Sequence, residues 1–93
     1  MKVAWSAKSL RSFKGLVREN LQLRLLIEEK LRQLANDPFH HSLRTHKLRG
    51  DLVGCWSCCV DYSYRIIFEF VLDPEEEKEA ILLLNIGTHD EVY

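Results

Sequence analysis

Apolar and polar positions alternate in two different rhythms along this chain, helical in the first third and strand-like in the second half. Lys2 to Trp5 is a short run with strand character. Ser6 follows, and its hydroxyl can accept a bond from an orphan helix N–H, so it predicts a cap. From Ala7 onward Leu10, Phe13, Leu16 and Val17 recur at helical spacing, with Lys8, Arg11, Lys14 and Arg18 on the other face. A second helix is predicted from Asn20 to Ala35. Its expected apolar stripe is Leu21, Leu25, Leu31 and Leu34, with Ile27 nearby. Asn36-Asp37-Pro38 ends it, because proline disfavours helical geometry in the residue before it. Residues 39–51 have no periodicity and read as a loop rich in His and Arg. Loops of that length in compact domains are often functional.

Three strands are predicted next, over Cys55–Asp61, Tyr64–Leu72 and Ala80–Ile86. In the second, Ile66, Phe68 and Phe70 share one face while Arg65, Ile67 and Glu69 share the other. Tyr62-Ser63 allows only a tight connection, so the first two strands form an antiparallel hairpin. The third is a near-continuous apolar run, as a central strand requires. Gly87 is expected to break it. The order β-α-α-β-β-β predicts one α+β domain over residues 1–93, a helical hairpin packed on a mainly antiparallel sheet.

Composition narrows the class. The chain is 46% apolar and 29% charged, ordinary for a globular protein. No apolar run approaches the roughly 20 residues that span a bilayer. The first residues lack a signal-like apolar core, so a cytoplasmic location with no membrane partner is the expectation. The net charge of −1 conceals an asymmetry. Residues 1–50 carry eleven Lys/Arg against four Asp/Glu; residues 51–93 carry two against ten. The basic half is a candidate surface for nucleic acid or an acidic partner.

Cys55, Cys58 and Cys59 crowd together, and an odd count argues against a disulfide framework. Strand alternation sets Cys58 on the face opposite Cys55 and Cys59. A structural zinc site needs four ligands, and no second CxxC or HxxxH exists, so neither metal nor another cofactor is expected.

The candidate chemistry lies in two polar motifs flanking the strands. Thr45-His46-Lys47-Leu48-Arg49-Gly50 precedes them, and Gly87-Thr88-His89-Asp90-Glu91-Val92-Tyr93 follows. Histidine is the side chain that titrates nearest neutral pH. Metal-free RNA cleavage needs a base for the 2′-OH, an acid for the 5′-oxygen and cations for the developing phosphorane charge. His46 and His89 are candidates for the base and acid; Lys47, Arg49 and Arg65 are the candidate cations. Tyr93 offers a ring for base stacking, as do Tyr62 and Tyr64. Convergence of the two histidines requires the loop before the strands to cross the sheet face.

Three segments together carry a resemblance. They are His46-x-Leu48-x-Gly50-x-x-x-Gly54, then Trp56-x-Cys58-x-Val60-x-Tyr62-x-Tyr64-Arg65-Ile66-Ile67-Phe68, then Ile86 to Tyr93. The combined pattern resembles the RelE/ParE superfamily of bacterial type II toxin–antitoxin toxins, closest to the RelE/StbE and YafQ-like mRNA interferase branch. That resemblance implies a β-α-α-β-β-β fold and a ribosome-dependent endoribonuclease that cleaves mRNA without a metal. It implies a cognate antitoxin as partner, besides the ribosome and mRNA. It assigns catalytic roles to His46, His89 and Tyr93, and RNA contacts to Lys47, Arg49 and Arg65. Cys59 stands where active members often carry Arg or His, and Ser63 where many carry Asp. The ParE branch of the same superfamily instead poisons DNA gyrase and does no RNA chemistry. A degenerate member would only bind an antitoxin.

Overall fold

The computed structural model describes all 93 residues. Strand β1 (Val3–Trp5) leads into helices α1 (Ala7–Val17) and α2 (Leu21–Asn36). A two-residue strand β2 (His46–Lys47) then precedes β3 (Trp56–Cys59), β4 (Tyr64–Asp73) and β5 (Lys78–Thr88), and α3 (His89–Val92) closes the chain. The five strands form one sheet in the order β1-β5-β4-β3-β2. Only the β1–β5 pairing is parallel. This is the expected α+β architecture, with two short elements added: β2 and α3.

Both long helices start on side-chain caps. Ser6 accepts from the Ser9 N–H at 3.1 Å, and Asn20 accepts from the Leu23 N–H at 3.0 Å. Each satisfies an N–H that has no partner within the helix. The core lies between α2 and the sheet. Leu23, Ile27 and Leu34 pack onto Leu43, Cys58, Ile66, Phe68, Ile81, Leu83 and Ile86. Phe13, Leu16 and Val17 of α1 close it from the side. No helix is long and apolar enough to cross a membrane.

The stripe expected for α2 holds at its C-terminal end, where Leu34 is fully buried and Leu31 packs against the core, and fails at its start. Leu21 is 67% exposed and Leu25 55%, whereas Ile27 is fully buried. The buried residues are spaced i, i+4 and i+11, a helical face in their own right. Leucines at 21, 23, 25, 26, 31 and 34 surround the helix, so periodicity offers more than one stripe and packing on the sheet selects among them.

Two other expectations are corrected. The segment 39–51 is not one open loop. It holds two single 3-10 turns, His41–Leu43 and Gly50–Leu52, with β2 between them. Gly87 does not break the third strand, which runs through it to Thr88. It is buried, and a Cβ there would lie 3.2 Å from Glu91 Oε1 and from Val92 Cγ1. Glycine is present because α3 folds back against the strand.

Candidate active site

His46 opens β2 and pairs with Ser57 of β3; Ser57 in turn pairs with Ile67 of β4. Residues directly opposite in antiparallel strands share a face. Cys58, Ile66 and Phe68 face the helices, so the intervening Ser57, Cys59, Arg65 and Ile67 belong to the opposite, open face. His46 shares that face. Its Nδ1 lies 2.9 Å from the carbonyl oxygen of Arg44. A carbonyl only accepts, so Nδ1 carries the hydrogen and the neutral ring presents a basic Nε2.

The C-terminus folds over the same face. Ser57 is fully buried, and its Oγ is hydrogen-bonded to the Tyr93 hydroxyl. Tyr93 also meets the His89 ring edge-to-face, with centroids 4.4 Å apart. The single tyrosine thus spans from the strand position opposite His46 to His89. A cleft of about 320 Å³ opens beside it, lined by His46, Leu48, Arg49, Asp51, Leu52 and Tyr93.

Two contacts hold the histidine end in place. The His89 N–H donates to the Ser63 carbonyl at 3.3 Å, tying α3 to the β3–β4 turn. The Thr88 N–H donates to Glu91 Oε1 at 2.8 Å in a capping-box arrangement. The Thr88 N–H and then its side chain hold the Glu91 carboxyl below the usual range. Asp90 Oδ1 lies 3.5 Å from His89 Nδ1, an ion pair when the ring is protonated.

The cations anticipated from sequence are divided. Arg49 lines the cleft with His46 and Tyr93. Lys47 points away, its Nζ 5.5 Å from the centroid of the Trp56 ring. Arg65 pairs with Cys59 on the open face, and its Nη1 donates to the carbonyls of Asp61, Tyr62 and Tyr64 at 2.7, 3.1 and 3.0 Å. It stands at a second cleft, at the β3–β4 turn. Ser57 was missed in the sequence. Its only signal there is a small hydroxyl in a strand of Trp, Cys and Val.

Cys58 is buried in the core, where desolvation foremost and then the neighbouring Cys59 thiol push its pKa up to about 12, against a smaller opposing effect of Lys30. Its thiolate, the form that binds metal, is disfavoured. No group of three or more His, Cys, Asp or Glu side chains is placed to hold a metal ion.

Two histidines thus flank a C-terminal tyrosine beside the open face of a five-stranded α+β sheet. The sequence matches the family profile described as "ParE toxin of type II toxin-antitoxin system, parDE" over residues 3–93. The chain belongs to that family and is a toxin of the type II toxin–antitoxin class. Its fold superposes on a YoeB/ParE toxin from Agrobacterium tumefaciens with a TM-score of 0.79 at 19% identity, covering 96% of this chain and 99% of the other. YafQ from E. coli strain BL21(DE3) gives 0.78 at 14% identity, over 99% and 97%. The YoeB–YefM complex from Staphylococcus aureus gives 0.72 at 17% identity, over 96% and 97%. No curated protein matches the sequence.

Proposed function

We propose that this toxin is a metal-independent endoribonuclease that cleaves mRNA at the ribosome and is neutralised by a cognate antitoxin. The observation that carries the reading is Tyr93, which joins the position opposite His46 to the ring of His89. In this reading His46 Nε2 takes the proton of the substrate 2′-OH, and the freed oxygen attacks phosphorus. The bond to the 5′-oxygen breaks as a 2′,3′-cyclic phosphate forms. His89, with Asp90 beside it, is assigned to protonate the leaving 5′-oxygen. General acid–base catalysis of this kind contributes about 10²–10⁴-fold. Arg49 supplies positive charge at the first cleft and Arg65 at the second. Lys47, over Trp56, is given no place at the reacting phosphate. The antitoxin partner is supported by family membership and by the YoeB–YefM complex, whose printed name pairs a similar toxin fold with a second protein.

Expression of the wild type and His89→Ala, with primer-extension mapping of mRNA ends, tests the proposal. Codon-phased cuts that vanish in the variant are the expected result. Their absence in the wild type would reject the nuclease. Cuts that survive in His89→Ala would reject the assigned acid. The parDE description of the family profile favours a second reading, inhibition of DNA gyrase. A supercoiling assay with purified toxin separates the two.

A further inference from the structure

The turn between β3 and β4 is held by hydrogen bonds. Asp61, Tyr62 and Ser63 are all exposed, so no core packing fixes their backbone. One backbone bond closes the turn, from the Val60 N–H to the Tyr64 carbonyl at 3.0 Å. Asp61 Oδ1 accepts from the N–H groups of Ser63 and Tyr64, at 2.9 and 2.8 Å. An aspartate side chain suits this role, because its short reach matches backbone donors two and three residues on. From the other side, Arg65 Nη1 donates to the carbonyls of Asp61, Tyr62 and Tyr64. The carbonyl of Ser63 lies outside that set. It accepts the His89 N–H, at 3.3 Å.

His89 is the first residue of α3, and the first N–H groups of a helix have no partner within it. The Ser63 carbonyl supplies one. With only four residues, α3 has no stability of its own and takes its direction from what it leans on. The His89 side chain is 63% exposed, so burial does not place the ring. The β4–β5 ladder ends at the Tyr64–Thr88 pair, which sets the turn and the start of α3 side by side. A shift of the turn therefore moves the acceptor at the N-terminus of α3, and with it the backbone from which the His89 ring projects.

We propose that Asp61 is a positioning residue for His89. Its carboxylate orients the Ser63–Tyr64 backbone, and the Ser63 carbonyl in turn anchors the start of α3. Asp61 acts through the turn and touches neither the substrate nor the reacting atoms. The inference deepens the nuclease reading and rests on it for the effect on catalysis. The reach of the acceptor oxygen matters here, not its negative charge. Asparagine keeps an oxygen at the same reach without the charge, whereas glutamate keeps the charge one methylene further out.

The test compares Asp61→Ala, Asp61→Asn and Asp61→Glu with the wild type, as purified full-length toxin. Exchange of the His89 N–H, followed by NMR, rises about 5- to 10-fold in the alanine and glutamate variants, as expected for loss of one neutral hydrogen bond, and Asp61→Asn restores it. Ribosome-dependent mRNA cutting in a purified translation system follows the same order. For Asp61→Ala and Asp61→Glu, kcat falls about 10- to 100-fold at unchanged KM, the cost of a misplaced catalytic group, and Asp61→Asn restores it. If Asp61→Ala does not fold, the asparagine and glutamate variants carry the same comparison. Wild-type His89 exchange in Asp61→Ala and Asp61→Glu overturns the proposal, as does raised exchange with unaltered cutting. A rise in KM at unchanged kcat also overturns it, since Asp61 would then be a substrate contact. So does a glutamate variant that works where asparagine fails, because charge would then replace geometry. Exchange that rises in Asp61→Ala and is restored in Asp61→Asn, with no cuts even by the wild type, sinks the nuclease and leaves the coupling of Asp61 to His89 standing.

Discussion

The Tyr93 hydroxyl is hydrogen-bonded to Ser57 Oγ, a fully buried atom in the third strand. Through this bond the C-terminal residue is held on the open face of the sheet, at Ser57, which lies directly across the ladder from His46. A neutral hydrogen bond of this type contributes about 1 kcal/mol net. Ser57→Ala and Tyr93→Phe should each lower stability by about 0.5–1.5 kcal/mol, and the double variant should cost less than the two singles together. Urea unfolding of the four proteins measures the coupling; strict additivity would mean the bond holds nothing. On the nuclease reading, both singles also lower the yield of mRNA cuts.

Gly87 allows α3 to lie against β5. A methyl group there meets Glu91 Oε1 and Val92 Cγ1 at 3.2 Å, tighter than ordinary contact. Gly87→Ala should therefore cost about 1–3 kcal/mol, as overpacking does. Amide exchange at Tyr93, whose N–H donates to the His89 carbonyl at 3.2 Å, should rise in the variant as α3 is displaced. Unchanged stability and exchange would show that α3 can shift at no cost.

The α2 register gives a paired test. Ile27 is fully buried and Leu25 is 55% exposed. Ile27→Ala should cost about 2–5 kcal/mol through lost burial and a cavity. Leu25→Ala should stay within about 0.5 kcal/mol, as surface substitutions do. Thermal unfolding of both variants reads the difference, and a reversed order would return Leu25 to the buried face as read from sequence.

Cys58 makes a prediction about pH. Its folded pKa is raised from 9.0 to about 12, chiefly by burial. A thiol with a raised folded pKa favours the folded state while the unfolded thiol ionises against it. This contribution is therefore fully present below pH 9.0 and is lost as pH rises from 9.0 towards about 12. Wild-type stability should fall across that window more steeply than that of Cys58→Ala, by up to about 1.4 kcal/mol per pH unit. Parallel slopes would remove the buried thiol from the account.

The same burial orders thiol reactivity. Cys55 and Cys59 are half-buried, whereas Cys58 is buried. A colorimetric thiol reagent at pH 8 should titrate two cysteines in the native toxin and the third only in denaturant. Three equally fast thiols would show that β3 opens readily.

The elements were legible because each rests on local physics. Ser6 and Asn20 cap helices by accepting N–H bonds from three residues further on, Pro38 stops a helix, and Tyr62-Ser63 is too short for anything but a hairpin turn. Alternation along β4 correctly separated Ile66 and Phe68 from Arg65 and Ile67. The residue types of the candidate site were visible as well, since His46, His89 and Tyr93 stand in short polar motifs beside apolar strands.

What escaped the sequence was long-range. Two residues are too few to announce a strand, and β2 exists only because His46 and Lys47 find Ser57 and Trp56 to pair with. Leucines all round α2 left its buried face to be chosen by the sheet. Alternation sends Lys47 over Trp56 and away from His46, and register alone decides which of the two faces the cleft. Ser57 gained importance only when a tyrosine 36 residues later reached its hydroxyl. Local sequence thus determined which elements form and which chemistry they can carry. The tertiary structure decided which side chains share a face, because face and register depend on partners distant in the chain.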